Sequence, residues 1–114
     1  MRLYATVDFH EPETRPGGMQ VHEAQLNGVE ASVAPFRASI FTVPAGSSSP
    51  RDQHDVRECW VVLAGTGVLT TTAGGQRLEP NAITYFESNQ PHEVRNDGPT
   101  PLRIFSVWWP ADAV

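Results

Sequence analysis

Glycine, proline and asparagine interrupt this chain from end to end, at Pro16-Gly17-Gly18, Asn27-Gly28, Pro44-Ala45-Gly46, Gly65-Thr66-Gly67, Gly74-Gly75, Pro80-Asn81, Asn89-Gln90-Pro91 and Asn96-Asp97-Gly98-Pro99. Such residues reverse the backbone, because glycine and asparagine reach left-handed conformations and proline fixes φ. Between the breaks lie runs rich in β-branched and aromatic residues: Phe36 to Val43, Glu58 to Leu63, Gly67 to Thr72, Ala82 to Phe86 and Pro101 to Trp109. No window sustains apolar residues at helical spacing with a start cap and a stop, so the pattern predicts an all-β antiparallel sandwich or barrel with little helix. The more polar segment before Ala31 reads as a strand, a loop and a second strand of the same unit.

With 114 residues the chain suffices for one domain with a real core, 1–114, and is too short for a second. A formal charge of −5 and the absence of any long basic run give no footprint for a nucleic-acid backbone or an anionic membrane, so neither partner is expected. One cysteine, Cys59, excludes an intrachain disulfide, and the start Met1-Arg2-Leu3-Tyr4-Ala5-Thr6-Val7 lacks the apolar stretch of a secretory signal. No apolar run approaches the roughly 20 residues that span a bilayer. A cytoplasmic enzyme or binding module with a small-molecule substrate is the expectation.

Asp52, His54 and Glu58 share one sequence parity between Gly46 and Gly65, and His92 follows downstream. On a strand, residues two, four or six apart point to one face, so these side chains are placed to line one cavity wall. Two imidazoles and a carboxylate make a ligand set used by non-haem iron and by catalytic zinc. Cys59 takes the opposite parity and reads as a small buried residue, while Trp60 points inward to floor the pocket or fill the core. Trp108 and Trp109 occupy opposite faces, one inside and one at a rim or subunit contact. Ile40, Phe41, Val43, Tyr85 and Phe86 read as core, Arg57 and Arg95 as outward-facing salt-bridge partners, and His10 and His22 as exposed or capping.

The spacing of these residues resembles the two motifs of the cupin superfamily. The first runs Gly46, five residues, Asp52-x-His54, three residues, Glu58, six residues, Gly65, with Asp52 where the family has its first histidine. The second runs Asn81, five residues, Glu87-x-Asn89, two residues, His92, three residues, Asn96, with asparagine at both glycine positions and Glu87 in place of proline. Asparagine is the residue that best tolerates the left-handed backbone a glycine turn uses. The resemblance implies a jelly-roll barrel (motif 1 at 46–65, motif 2 at 81–96), one divalent metal ion held by His54, Glu58 and His92, and a homodimer. Asp52 then either ligates the metal or holds a metal-bound water or a substrate group.

The His54, Glu58, His92 set is similar to that of the iron-dependent cupin that forms the epoxide of fosfomycin, which implies an iron(II) oxygenase or dioxygenase, an oxidoreductase acting on a small polar molecule. The run from Glu58 to Gly65 resembles a stretch of the second class of phosphomannose isomerases, and Phe105-Ser106-Val107-Trp108-Trp109 resembles zinc-binding cupin halves of hydrazine-forming enzymes. Those likenesses imply zinc and non-redox chemistry: isomerisation, elimination or N–N bond formation, with Glu58 or Asp52 moving protons. A non-catalytic ligand-binding cupin is the remaining reading.

Overall fold

A computed structural model describes residues 7–26 and 35–112. Nine strands follow in chain order: β1 (Glu13–Thr14), β2 (Gln20–Glu23), β3 (Arg37–Val43), β4 (Val56–Ala64), β5 (Gly67–Thr71), β6 (Gly74–Leu78), β7 (Ile83–Phe86), β8 (His92–Arg95) and β9 (Leu102–Pro110). They form a six-stranded sheet, β1-β2-β3-β9-β4-β7, and a three-stranded sheet, β6-β5-β8. Every pairing between these strands is antiparallel. The only helix among the described residues is a 3-10 turn at Pro16–Gly18. The architecture is the all-β jelly-roll barrel expected.

Alternation along the central strands sets the two faces of the larger sheet. Registers Phe41↔Ile104, Ser39↔Ser106 and Trp60↔Ser106 align the inward side chains of β3, β9 and β4. Phe41, Val43, Trp60, Val62, Phe86, Leu102 and Ile104 meet Leu69, Leu78 and Val94 of the smaller sheet and Met19 in one core. Each such side chain removed from water contributes about 1.5–3 kcal/mol before entropy is counted. Trp60 is the aromatic centre, edge-on to Phe41 at 5.1 Å and to Phe86 at 4.7 Å between ring centroids.

The turns use the residues their backbone requires. Gly46 and Gly65 have φ of +78° and +82°, and at Gly65 an added Cβ would stand 2.5 Å from the Pro101 carbonyl oxygen. Asn81 and Asn89, at the second motif's glycine positions, take φ of 74° and 61°. Asn96 is fully buried. Its amide donates to the carbonyls of Val43 (2.9 Å) and Thr100 (2.8 Å) and accepts from the Gly98 N–H (3.0 Å), tying β3 to the loop before β9.

Several expectations need correction. Gly74-Gly75, read as a turn, begins β6: the reversal is at Thr72-Ala73, where Thr71 Oγ1 accepts from the Ala73 N–H. β8 has only four residues and was hidden inside the second motif. Tyr85 is 50% exposed and belongs to the outer face. There it stacks on Trp109 at 6.4 Å, and Ile40 shares that face, being only half-buried. Both faces of this sheet carry apolar residues, so alternation alone did not say which faces solvent. The Asn27-Gly28 turn lies outside the described residues.

On the same outer face Arg57 Nε donates to Glu87 Oε1 at 2.6 Å. Hydrogen bonds from Arg57, the Ser88 N–H and the Tyr85 hydroxyl hold the Glu87 carboxyl down at about 2, against an ordinary 4.5. A lowered carboxyl pKa stabilises the fold above the ordinary value and loses that contribution as pH falls towards the folded one. Glu87→Gln is therefore expected to flatten the acid side of the stability curve between about pH 4.5 and about 2. The difference from wild type should shrink in high salt, because the pair is exposed. Denaturant melts across that range, in low and high salt, check it.

Candidate metal centre

The acidic half of the site is built on β4. Glu58 points inward opposite Trp108 and Phe86. Its Oε2 accepts from Trp60 Nε1 at 2.8 Å and from Ser106 Oγ at 2.5 Å. These donors fix the carboxylate, leaving Oε1 directed at His92 Nε2, 3.3 Å away. Burial pushes the Glu58 pKa up, but the neighbouring His92 and the hydrogen bonds from Ser106 and Trp60 outweigh it and the net shift is downward. Glu58 is therefore a carboxylate at neutral pH.

His92 enters from β8, an edge strand of the smaller sheet. Its side chain is 4% exposed, stacked on Phe86 at 4.2 Å and edge-on to Trp60 at 5.3 Å. Nδ1 lies 2.9 Å from the Gln90 carbonyl oxygen, which only accepts, so Nδ1 carries a proton. Burial pulls the His92 pKa down, yet Glu58 and the Gln90 carbonyl together shift it upward. Nε2 is buried, and its polar neighbour is Glu58 Oε1, an ion-pair contact at 3.3 Å that falls short of hydrogen-bond geometry.

Asp52 and His54 stand at the cavity mouth. They are not on β4, as parity alone suggested, but on the segment before it, since β4 begins at Val56. Asp52 pairs through backbone hydrogen bonds with His92 in an isolated bridge, which sets it beside the buried pair. His54 is half exposed, with Nε2 3.9 Å from Asp52 Oδ2 and its ring centroid 6.2 Å from that of His92. The turn Glu87–Gln90 holds this segment: the Asn89 N–H donates to the His54 carbonyl (2.5 Å), Ser88 Oγ to the Asp55 carbonyl (2.8 Å), and Gln53 Nε2 to the Asn89 carbonyl (3.1 Å). One turn thus supports both histidines, through Gln90 for His92 and through Asn89 for His54.

A metal ion is tested here by the orphaned nitrogen. With Nδ1 donating to Gln90, Nε2 faces a carboxylate oxygen 3.3 Å away, an arrangement that calls for a proton or a cation between them. Two donors on one ion, at bond lengths of about 2.1 Å, lie roughly 3.0–3.4 Å apart. Histidines that ligate metals ordinarily donate their second N–H to a carbonyl or carboxylate, as His92 does. The buried pair therefore fits a divalent cation. Among the described residues no three histidine, cysteine or carboxylate side chains stand close enough together to hold one. The third donor, on the half-exposed segment before β4, falls short.

Asp52, His54, Glu58, Trp60, Ser106 and Trp108 line one cavity of about 550 Å³, together with Arg15, Met19, Val21, Ser39, Phe41 and Ser49. Sequence reasoning missed Ser106 and Arg15. Ser106 carried a signal, a hydroxyl between Phe105 and Val107 in an apolar strand, but only the register Trp60↔Ser106 aims it at Glu58. Cys59 is half-buried on the outer face, where burial raises its thiol pKa, so it takes no part in the cavity.

The cupin domain family model matches residues 39–108, and the chain belongs to that family. It is 33% identical over 73 residues to mannose-1-phosphate guanylyltransferase of Klebsiella pneumoniae, covering 63% of this chain and 16% of that protein. It is 34% identical over 73 residues to the alginate biosynthesis protein AlgA of Pseudomonas putida, covering 63% of this chain and 15% of that one. The match thus spans about a sixth of these curated relatives' length. Among solved structures, a Cupin 2 conserved barrel domain protein from Salinispora arenicola has a TM-score of 0.75 at 22% identity, covering 87% of this chain and 82% of its own. The DMSP lyase DddQ of Ruegeria pomeroyi has a TM-score of 0.63 at 25% identity, covering 70% and 41%. No helix among the described residues is long and apolar enough to cross a membrane.

If the Glu87–Gln90 turn sets the His54 segment, Ser88→Ala should weaken zinc binding about 10-fold, with a much smaller change in stability. Calorimetric titration beside a denaturant melt checks it.

Proposed function

We propose that this chain is a divalent-metal-dependent cupin enzyme acting on a small polar molecule, its metal held by Glu58 and His92 and completed when the half-exposed His54 side chain turns towards them. The observation that carries the reading is the buried Nε2 of His92, which faces Glu58 Oε1 at 3.3 Å without hydrogen-bond geometry. Two imidazoles and one carboxylate suit iron(II), our first choice, with catalysis of the oxygenase type. A bound ion of this kind supplies a Lewis acid and, for iron, a one-electron couple for dioxygen chemistry. The protein's own part is positional. Trp60 and Ser106 lock the Glu58 carboxylate, and the Gln90 carbonyl fixes the His92 tautomer. Asp52, half-exposed at the mouth, is placed to accept a substrate proton or to act as a further ligand. Phe41, Trp60 and Trp108 give the cavity a water-excluding apolar wall.

A second reading takes zinc and non-redox chemistry. The likeness to mannose-1-phosphate guanylyltransferase favours it, together with the Glu58 to Gly65 stretch, and would make a sugar phosphate the substrate. Anaerobically iron-loaded and zinc-loaded protein should be screened over small hydroxy acids and sugar phosphates, with oxygen uptake recorded. The iron reading expects turnover that consumes oxygen, the zinc reading turnover without it, and both fall if metal-free protein turns over equally well. The homodimer implied by the family resemblance belongs to this proposal. Leu63, Ile83 and Tyr85, all exposed, would be the apolar contacts, and sedimentation at two concentrations checks it.

A further inference from the structure

Among the residues that line the cavity is a cation that the metal reading leaves unused. Arg15 lines the cavity from the turn between β1 and β2, whereas Asp52, Asp55 and Glu58 reach it from the segment ahead of β4 and from β4 itself. Among the described residues no other arginine lines it. The backbone at Arg15 is held in place: its N–H donates to the Met19 carbonyl at 2.7 Å and its carbonyl accepts from the Gly18 N–H at 3.1 Å. Gly17 seats this turn against the barrel, so closely that a Cβ there would lie 2.6 Å from the Ser48 carbonyl oxygen.

The guanidinium itself is weakly engaged. Its one salt bridge among the described residues is to Glu13, two residues away, at 3.3 Å, with the Arg15 side chain 46% and the Glu13 side chain 68% exposed. An exposed pair at that distance is worth little, so an incoming anion can displace Glu13 at small cost. Met19, Val21, Phe41, Trp60 and Trp108 line the same cavity. The cavity thus combines carboxylates, an apolar wall and a planar five-donor cation, the group best matched to carboxylate or phosphate.

We infer that Arg15 recognises an oxyanion on the molecule that the cavity takes, so that the substrate carries a carboxylate or phosphate beside an apolar body. This inference names the substrate class of the proposed site and rests on that reading.

The test uses quenching of the tryptophans, two of which, Trp60 and Trp108, line the cavity. Benzoate, phenyl phosphate and neutral benzyl alcohol are titrated into metal-free and zinc-loaded protein, whose zinc content is measured in parallel. The two anions should bind at least about 10-fold tighter than the alcohol, and the tighter of them identifies the substrate's acid group. Arg15→Gln should remove that preference without changing zinc content or binding of the alcohol; Arg15→Lys should restore part of it. Glu13→Gln, which removes the competing carboxylate, should strengthen anion binding about two- to threefold. Equal binding of all three probes to wild type, or anion binding undiminished in Arg15→Gln, overturns the inference. Arg15-dependent preference in a protein that takes up no zinc would leave the anion site standing and remove the metal reading. Zinc uptake without such preference would do the reverse.

Discussion

His92→Ala is expected to weaken divalent-metal binding by at least about 100-fold and to abolish metal-dependent activity, while the barrel still forms. The ring removed is the proposed site's only donor from the smaller sheet, and its buried Nε2 faces Glu58 Oε1 at 3.3 Å without hydrogen-bond geometry. Losing its contact with Phe86, 4.2 Å between ring centroids, should cost about 2 kcal/mol, or roughly 10 °C in Tm. The diagnostic quantity is the difference made by metal. Wild type at 100 times Kd should gain about 2.7 kcal/mol on loading, and the variant almost nothing. Thermal melts with and without zinc and with and without anaerobic iron(II) read both effects. A variant that keeps the full metal-induced shift would place the ion elsewhere.

Asn96→Ala should be the most damaging substitution outside the site, at about 3 kcal/mol or more. It strands the carbonyls of Val43 and Thr100 and the N–H of Gly98, in a position with no exposure to water. Each buried group left unpaired costs about 1–3 kcal/mol. Metal affinity measured on the folded fraction should be unchanged, since Asn96 touches no donor. Urea unfolding checks the first statement and calorimetric titration the second. Asn96→Asp keeps the acceptor for Gly98 but sets a buried carboxylate oxygen against the Val43 and Thr100 carbonyls, so it should be at least as damaging as Asn96→Ala.

The contrast between these residues marks how far the sequence could be read. Motif spacing, read through the resemblance to cupins, brought Glu58 and His92 together across two sheets, because the motifs encode strand register as well as ligand identity. It also anticipated that Asn81 and Asn89 would take the left-handed turns of the missing glycines, at φ of 74° and 61°. Asn96 was recognisable as a motif residue, but its work as a tie between β3 and the loop before β9 depends on chain segments far apart in sequence.

What stayed hidden has two physical sources. Glu58 is positioned by Ser106, 48 residues away, through the β4–β9 register, and no local pattern reports such a pairing. Asp52 and His54 share a parity with Glu58, yet parity is a property of strands, and the chain before Val56 is not in one. They reach the cavity because the Asp52–His92 bridge and the Glu87–Gln90 turn hold that segment, which also explains why His54 stands apart from the buried pair. Arg15 lay in a polar stretch whose periodicity was too short to fix a strand, and only the fold brings it into the lining of the cavity.

The most direct measurement is elemental analysis of the protein as purified without added metal and after anaerobic iron loading, repeated on His92→Ala. The account predicts about one divalent ion per loaded wild-type chain, as a single mononuclear site requires, and less than about a tenth of that in the variant. A wild-type chain that takes up no metal in either preparation, or a variant that retains it, would contradict it.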